Sequence, residues 1–331
     1  MTIEACAPTR IDLAGGTIDI WPLYLFHQGA KTVNLAIDLY ATCKLKPRED
    51  NIIRLESKDT GSVVEGTLES LIDNSELELL ARLVRFFRPY RGLTLTTECA
   101  APPGSGLGGS SALNIAVCGA LNIFTGRSYN EEQLLTIAKN IETQVIRVPA
   151  GVQDYYSAMY GGANSINLNV EGVEREEIKA DLVSLGMQLV LCYTGKPHFS
   201  GTNNWEITKR HIDGDSTIFA QFEQIRNITT KMRNALIEGD FNQIAELLDE
   251  EWQTRKTLSP GVTTPKIEEL IVVAHDAGAL AAKVCGAGGG GCVVFIVGED
   301  TKSAVETALQ TAGGQVLDFQ PATRGLDVRT H

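Results

Sequence analysis

The chain has 331 residues, of which 43% are hydrophobic and 21% are charged, and its 41 acidic and 29 basic side chains give a formal net charge of −12. This composition is typical of a soluble globular protein, and at about 150 residues per domain the length suggests two domains. An acidic surface repels nucleic-acid phosphates and anionic lipids, so the charge disfavours nucleic-acid and membrane partners and favours a small-molecule ligand.

The seven cysteines are scattered, and no two of them form a C-x-x-C pair. This spacing argues against a disulfide framework or a zinc ribbon and is typical of a reducing cytosol. The sequence shows neither the charged and apolar regions of a secretory signal nor a run of about 18 apolar residues. We therefore expect a cytoplasmic protein without a membrane span.

The predicted elements of the first half alternate between strands and helices. Residues 32–45 are apolar and rich in β-branched side chains, as are residues 92–99, and both are predicted as strands. Apolar residues recur at helical spacing in residues 76–87 and 131–146. This mixture favours an α+β domain.

The second half follows the charged stretch 171–181, which is the best candidate for a domain boundary. An apolar run comes next at 187–193, and helical spacing returns at 217–237. A further helix is predicted at 265–277, where the following glycine suits the left-handed position after a helix. A strand at 280–284 then leads into glycines. We expect two α+β domains that meet near residue 180.

The strongest local signal is the glycine-rich sequence P-P-G-S-G-L-G-G-S-S-A at residues 102–112, which precedes an apolar helical run. A glycine-rich loop before a helix offers backbone N–H groups and the positive end of the helix dipole to a phosphate. The loop lacks the G-K-[ST] ending of a Walker loop. The residues predicted to bind the phosphates of a nucleotide are Pro103, Gly104, Ser105, Gly106, Leu107, Gly108, Gly109, Ser110 and Ser111.

Two more glycine-rich segments are present, A-P-T-R-I-D-L-A-G-G-T-I-D at residues 7–19 and K-V-C-G-A-G-G-G-G-C-V-V at residues 283–294. Glycine at this density costs conformational entropy, so a compact protein retains it where the backbone approaches something closely. We expect a ligand or a second backbone loop at these segments.

Together with G-V-Q-D at residues 151–154, these three segments resemble the motifs of the GHMP kinase superfamily, which includes galactokinases, homoserine kinases and mevalonate kinases. The resemblance implies an α+β two-domain GHMP kinase fold. Its N-terminal ribosomal-protein-S5-like α/β domain would bind ATP and span residues 1–180, and its C-terminal ferredoxin-like α+β domain would span residues 181–331. It also implies phosphoryl transfer to an alcohol group, with ATP and Mg²⁺ as cofactors.

Within the superfamily, the motifs are most similar to the sugar-phosphate branch that includes the heptose 7-phosphate kinases. That branch usually reads A-G-G-G-T-D, whereas this chain reads A-G-G-T-I-D at residues 14–19, which we interpret as closer to the galactokinase spacing G-E-H-T-D. The expected acceptor is a sugar or a sugar phosphate. A mevalonate- or phosphomevalonate-type kinase and a non-catalytic ligand sensor are the alternatives.

Phosphoryl transfer requires neutralised charge, a positioned hydroxyl and a route for its proton. The resemblance implies that Ser110 and Glu142 bind Mg²⁺ and that Asp154 and Arg10 are catalytic, with Arg10 holding the aspartate ionised. Glu142 also lies on the apolar stripe of its helix, where a carboxylate is costly unless it is paired or bound to a cation. The alternatives are a Glu142 that reaches water or pairs with Arg147, serines that cap a helix, and a structural ion pair between Asp154 and Arg10.

The resemblance also places acceptor-binding residues around Asp19, whose alternative role is to cap a helix or turn. Residues 193–205 combine donors, acceptors and aromatic rings, a mixture that suits hydroxyl-rich ligands, with two side chains able to meet a phosphate. The alternative there is an ordered surface loop. The predicted acceptor-binding residues are Gly16, Thr17, Asp19, Thr194, Lys196, His198, Gly288 and Gly289.

Two further enzyme classes are disfavoured. We expect an ATP-dependent decarboxylase of the diphosphomevalonate type to lack the Gly15-Gly16 turn, and a dinucleotide oxidoreductase would need an acidic ribose contact beside the glycine loop. The histidines His27, His211 and His275 lack the spacing of metal ligands and are predicted to be structural. A homodimer is left open.

Overall fold

In the computed structural model, residues 2–73, 76–197 and 200–331 are described, without the side chains of residues 72–73 and 200–203. The elements of the first half are β1 (Ile3–Ala14), β2 (Lys31–Pro47), β3 (Ile53–Ser57), β4 (Val63–Gly66), α1 (Glu78–Phe87), β5 (Leu93–Cys99), α2 (Gly109–Phe124), α3 (Glu131–Ile146), α4 (Gln153–Tyr160), β6 (Ala163–Leu168) and β7 (Val173–Ile178), with short 3₁₀ helices at Leu23–Phe26 and Ser70–Asp73.

The elements of the second half are α5 (Leu182–Met187), β8 (Leu189–Tyr193), α6 (Ser200–Ile212), α7 (Ser216–Glu238), α8 (Phe241–Arg255), α9 (Pro265–Asp276), β9 (Ala279–Val284), β10 (Cys292–Val297), α10 (Lys302–Thr311), β11 (Gln315–Leu317) and β12 (Asp327–Thr330). The described helices include none that is long and apolar enough to cross a membrane.

The first sheet has eight strands within the described part of the chain, in the order β12-β1-β2-β5-β3-β4, and β6 and β7 extend it from β2. Its pairs are antiparallel except for β3 and β5, which are parallel. Helices α1 to α4 pack with this sheet around one apolar core, to which Leu45 and Leu95 contribute from strands and Val117 and Leu121 from α2. The core fixes α2 and α4, whose N-termini carry candidate site residues.

The second sheet has the antiparallel order β11-β8-β10-β9. Numbered along the chain, this is the order 4-1-3-2 of a ferredoxin-like fold, as expected. Strand β10 is buried at every position because helices cover its sheet and the first half of the chain lies against it. This packing brings the glycines between β9 and β10 next to the first half.

The helix and strand predictions are confirmed, with small shifts at the ends. The helix predicted at 131–146 has those bounds because Asn130 and Gln133 form a capping box at its start. Two details differ: residues 173–178 of the charged stretch form β7, and the run predicted from residue 187 becomes a strand only at Leu189, after the short helix α5.

The C-terminal strand β12 pairs with β1 in the first sheet, where Ile3 lies opposite Thr330 and Cys6 opposite Asp327. The last residues of the chain therefore complete the sheet of its first half. The domain boundary predicted near residue 180 falls between β7 and α5. The division into two domains at this point stays a prediction.

Candidate active site

A cavity of about 490 Å³ lies where the two halves of the chain meet. The predicted site residues that line it are Arg10, Thr17, Asp19, Pro103, Gly104, Ser105, Gly106, Gly108, Gly109, Ser110, Ser111, Glu142 and Asp154. Two other predicted residues lie behind its wall, since Leu107 is fully buried and Gly16 precedes the lining residue Thr17. A larger open groove of about 1280 Å³ beside α7 and α8 contains none of the predicted site residues.

The loop before α2 turns directly into the N-terminus of the helix. The backbone N–H of Ser105 donates to the Pro102 carbonyl at 3.0 Å, and α2 begins directly after Gly108, which is its N-cap at φ 74°. The first N–H groups of a helix have no partner within it and, with the helix dipole, favour a bound phosphate. The serines lie in the first turn of α2, so the alternative that one of them is the N-cap is wrong.

The third glycine segment packs its backbone against this loop. A Cβ atom on Gly106, which has a φ of 74°, would lie 2.4 Å from the Cys285 carbonyl oxygen. The backbone N–H of Cys292 donates to the Ser105 carbonyl at 2.7 Å. The expectation of a second backbone loop is therefore confirmed at this segment.

Arg10 and Asp154 form the central ion pair. Arg10 is 4% exposed in β1, and its Nε and Nη2 atoms lie 2.8 and 2.6 Å from Oδ1 of Asp154 in the first turn of α4. Nη1 donates to the Gly106 carbonyl at 2.6 Å, which joins the pair to the glycine loop. Burial disfavours the charged guanidinium, but the carboxylates of Asp154 and Asp12 outweigh it and raise the pKa of Arg10.

The orientation of Asp154 leaves its second oxygen for a ligand. Both Arg10 contacts use Oδ1, and among the described residues no group donates a hydrogen bond to Oδ2. The side chain is 24% exposed and lines the cavity. A carboxylate held on one oxygen by a buried arginine is suited to accept a hydrogen bond from a substrate hydroxyl on the other.

Glu142 of α3 is buried beside the first turn of α2. Its Oε2 accepts hydrogen bonds from Ser111 Oγ at 3.1 Å and from Tyr155 Oη at 2.7 Å. Burial raises the pKa of Glu142, and hydrogen bonds from Tyr155, Ser110 and Ser111 oppose that effect. The alternative pairing with Arg147 is wrong, because Arg147 ends α3 in a left-handed conformation and forms no ion pair with Glu142.

The oxygen atoms of Ser110 and Glu142 fit a magnesium ion. A buried carboxylate is costly in its charged form unless a cation or hydrogen-bond donors compensate it, and Mg²⁺ is commonly held by one or two carboxylates together with substrate phosphates. The described residues include no group of three or more His, Cys, Asp or Glu side chains arranged for a metal. Any Mg²⁺ here would therefore depend on the phosphates beside Ser110.

Asp19 caps α4. It is 2% exposed, and its Oδ2 accepts hydrogen bonds from the backbone N–H groups of Val152 and Gln153 at 2.7 and 2.9 Å. Burial raises the pKa of Asp19 to about 6, although these two hydrogen bonds lower it. The capping alternative is thus what the structure shows, and Oδ1 has no hydrogen-bond donor among the described residues.

The remaining predicted acceptor residues lie away from the cavity lining. The Thr194 N–H donates to the Gly291 carbonyl at 2.9 Å, and the Lys196 carbonyl accepts from the Gly291 N–H at 3.0 Å. Gly289 donates to the Val262 carbonyl at 2.8 Å, and Gly288 packs against the same residue. His198 lies outside the described residues. Thr194, Lys196, Gly288 and Gly289 therefore do not line the cavity with Asp19.

The histidines His27 and His211 lie in an aromatic core, with Nε2 of each at 2.8 Å from the other. Nδ1 of His27 lies 2.5 Å from Glu223. His275 bonds the Ala279 carbonyl at 2.9 Å. These contacts agree with the prediction that the three histidines are structural, which stays a prediction.

Comparisons with known proteins identify the family. The family models "GHMP kinases N terminal domain" and "GHMP kinases C terminal" match residues 76–162 and 232–315. The D-glycero-alpha-D-manno-heptose 7-phosphate kinase of Campylobacter jejuni is 31% identical over 98% of each chain. The chain belongs to the GHMP kinase family. A crystal structure of a D-glycero-D-manno-heptose 1-phosphate kinase from Bacteroides thetaiotaomicron matches this GHMP kinase with a TM-score of 0.82 and 26% identity, and covers 99% of both chains.

A mevalonate kinase from Thermococcus sibiricus is more distant, at 24% identity over 99% of this chain and 98% of its own. The family shows that the chain is a phosphotransferase that acts on a hydroxyl group, and the two-domain GHMP kinase fold is the one that its sheets form. ATP binding follows from the family.

Sequence analysis did not predict several residues of the site. Tyr155 holds Glu142, Asn204 lines the cavity, and Arg255 contacts Gly16 and Thr17 from the second half of the chain. The only sequence signal for Tyr155 was its position next to Asp154. The contacts of Arg255 with Gly16 and Thr17 had no local signal, because they join residues more than two hundred positions apart.

Proposed function

We propose that this GHMP kinase transfers the γ-phosphoryl group of ATP to a hydroxyl of a sugar or a sugar phosphate, and that a heptose 7-phosphate is the first acceptor to test. The observation that carries the proposal is the cavity in which the glycine loop, the Arg10–Asp154 pair and Asp19 meet. The heptose 7-phosphate kinase at 31% identity over nearly the whole chain supports the choice of acceptor.

In the proposed reaction, the N-terminus of α2 binds the phosphates of ATP through backbone N–H groups. The acceptor hydroxyl lies at Oδ2 of Asp154, which orients it and takes its proton as the oxygen attacks the γ-phosphorus. The bond from that phosphorus to the β–γ bridging oxygen breaks, and ADP leaves. Arg10 keeps Asp154 in place through its two contacts with Oδ1.

Ser110 and Glu142 would hold Mg²⁺ in this GHMP kinase. When bound, the ion neutralises the negative charge of the phosphates. Ser111 and Tyr155 both donate to Oε2 of Glu142. They thereby fix the direction of the carboxylate before any ion binds. This arrangement supports the assignment of Glu142 to the metal over a purely structural role.

The acceptor side of the proposal rests on Asp19 and Thr17. Both line the cavity, and the unpartnered Oδ1 of Asp19 is available to accept a hydrogen bond from a hydroxyl of the acceptor. Lys196 is exposed, lies outside the cavity lining and stays, with Thr194, His198, Gly288 and Gly289, a prediction for acceptor binding. The presence of Asp19 and Thr17 in one cavity with Asp154 supports a catalytic role over that of a non-catalytic sensor.

The experiment is a steady-state assay of ADP release with Mg²⁺ and ATP against D-glycero-D-manno-heptose 7-phosphate, galactose and mevalonate. We expect the highest kcat/KM with the sugar phosphate, because buried polar groups that pair with sugar hydroxyls penalise acceptors that lack them. The Asp154→Asn variant, purified in the same way, controls for a contaminating kinase. A higher kcat/KM with mevalonate would move the protein to the mevalonate-type alternative.

We also propose that the protein works in the cytoplasm, which its seven free cysteines support. A homodimer stays a prediction. Sedimentation of the purified protein measures its mass in solution and decides between a monomer and a dimer.

A further inference from the structure

Four charged side chains are buried together beneath the turn at residues 15–17. They are Asp12 of β1, Glu251 and Arg255 of α8, and Lys283 of β9, and each is at most 1% exposed. Nζ of Lys283 lies 2.9 Å from Oδ2 of Asp12 and 3.8 Å from Glu251, and Nε of Arg255 donates to Glu251 at 2.9 Å. We call these four residues the buried charge cluster.

The buried charge cluster is weak evidence for stability. Two carboxylates and two cations are removed from water here, and an apolar cluster of the same volume is often as stable or more so. A cluster of this kind is retained when it fixes a particular geometry, as a buried polar group can fix register in other folds. The question is therefore which geometry these residues fix.

Arg255 extends from the cluster to the turn. Its Nη2 donates to the Gly16 carbonyl at 2.7 Å, and its Nη1 donates to Thr17 Oγ1 at 3.1 Å. The turn also packs closely on the cluster, because a Cβ atom on Gly16 would lie 2.2 Å from Oδ2 of Asp12. The guanidinium group thus holds two consecutive residues, of which Thr17 lines the cavity.

The chemistry of arginine then sets the direction of the Thr17 hydroxyl. Arginine has only donors, so the hydroxyl oxygen accepts from Arg255 and its own proton must point elsewhere. That proton points to Oδ1 of Asn204, at 3.3 Å. Thr17 and Asn204 both line the cavity, so Arg255 makes the hydroxyl a donor on the cavity side.

The backbone conformation of Thr17 does not favour local stability. Its φ is 72°, a left-handed conformation that is rare for a β-branched residue and easy for glycine. Counted from Ala14, Thr17 occupies the position of the third glycine in the A-G-G-G-T-D pattern of the sugar-phosphate branch. Strained conformations of this kind cluster at ligand-binding sites.

We propose that Arg255 is a positioning residue that fixes the Thr17 hydroxyl as a hydrogen-bond donor to an oxygen atom of the acceptor, which replaces Asn204 when it binds. The proposal rests on the function proposed above and adds a requirement to it. An acceptor must present an oxygen at Thr17, so this position contributes to selectivity between acceptors. Binding of ATP does not involve Thr17.

The test compares Thr17→Ser, Thr17→Val and Thr17→Gly by the KM for the best wild-type sugar acceptor, the KM for ATP and kcat. Serine keeps the donor, and we expect its acceptor KM to stay close to that of the wild type. Valine keeps the shape without the hydroxyl, and we expect its acceptor KM to rise about tenfold, with the KM for ATP unchanged. Glycine relieves the left-handed strain but removes the hydroxyl, so its acceptor KM should rise as well.

Arg88→Gly is the matched control for strain, because Arg88 has a φ of 49° at the end of α1 and is exposed outside the cavity lining. We expect no change of KM in this variant. Arg255→Lys tests the link itself: if Arg255 acts through Thr17, the double variant with Thr17→Val raises the acceptor KM no more than the larger single effect. The Thr17 series keeps the test decisive if Arg255→Lys fails to fold.

The proposal is overturned if Thr17→Val has the acceptor KM of the wild type, if Thr17→Ser is as impaired as Thr17→Val, or if the effects of Arg255→Lys and Thr17→Val on KM multiply independently. These outcomes differ from failure of the proposed function. That failure would appear in the wild type, as an absence of ADP release with every sugar and sugar phosphate.

Discussion

Replacement of Asp19 by asparagine should make the protein more stable and less active. Burial raises the pKa of this carboxyl from 3.8 to about 6, so the folded state binds its proton more tightly than the unfolded chain does. Each unit of pKa difference corresponds to about 1.4 kcal/mol, and the shift of about two units therefore opposes folding by about 3 kcal/mol above pH 7. Asparagine cannot ionise, and its carbonyl oxygen still accepts from Val152 and Gln153.

The sign of the pH dependence follows from the raised pKa. Below pH 4 the carboxyl is protonated in both states, and the wild type loses stability as the pH rises through the interval from about 4 to 6. Urea unfolding should show Asp19→Asn about 3 kcal/mol more stable than wild type at pH 7.5 and less than about 1 kcal/mol more stable at pH 4. The kcat/KM for the sugar acceptor should fall.

Asp181→Asn is the matched control, since Asp181 also caps a helix, α5, but is exposed and has its pKa lowered by hydrogen bonds from Ser184 and Val183. A lowered pKa stabilises the fold at neutral pH, so this variant should be less stable than wild type there, and the gap should close as the pH falls. An Asp19→Asn protein that is no more stable than wild type at pH 7.5, or whose gap is the same at both pH values, would refute the reasoning.

The other predictions concern the nucleotide side of the cavity. Asp154→Asn should lower kcat by about 10²–10⁴ and leave ATP affinity, measured by calorimetry, unchanged; a loss below about tenfold would show that positioning alone suffices. Glu142→Gln should raise the Mg²⁺ concentration for half-maximal activity by about tenfold or more, and wild-type Mg²⁺ dependence would contradict the metal assignment. Gly106→Ala places a Cβ 2.4 Å from the Cys285 carbonyl, so it should lower both the melting temperature and the ATP affinity; unchanged values would mean that the two glycine segments separate easily.

Local sequence signals predicted much of the fold. The capping box and apolar stripe of α3 define that helix without help from the rest of the chain. The glycine loop and α2 were also predictable, because glycines at 104, 106 and 108 adopt the positive φ that their residue type permits. The same loop marked most of the proposed nucleotide side of the cavity.

Contacts between distant residues were not predictable in this way. The pairing of β12 with β1 joins the two ends of the chain, and the pair of Lys283 with Asp12 spans 271 residues. One signal was available: a single lysine in the apolar strand β9 must find a carboxylate if the strand is buried. The sequence does not say which carboxylate, since no periodicity relates positions in different elements.

The two sides of the cavity are held in place by different means, and this difference bears on how acceptor selectivity changes. On the nucleotide side the loop satisfies local preferences, with glycines in glycine conformations and Arg10 paired with Asp154. On the acceptor side, Thr17 is strained and Asp19 is ionised against its burial, so both residues oppose folding.

Features that oppose folding persist in natural proteins where they serve binding or catalysis. Their support comes from Arg255 and from the N-terminus of α4, far away in the sequence. We therefore expect substitutions in α8 and β9 to alter the choice of acceptor while ATP binding is preserved.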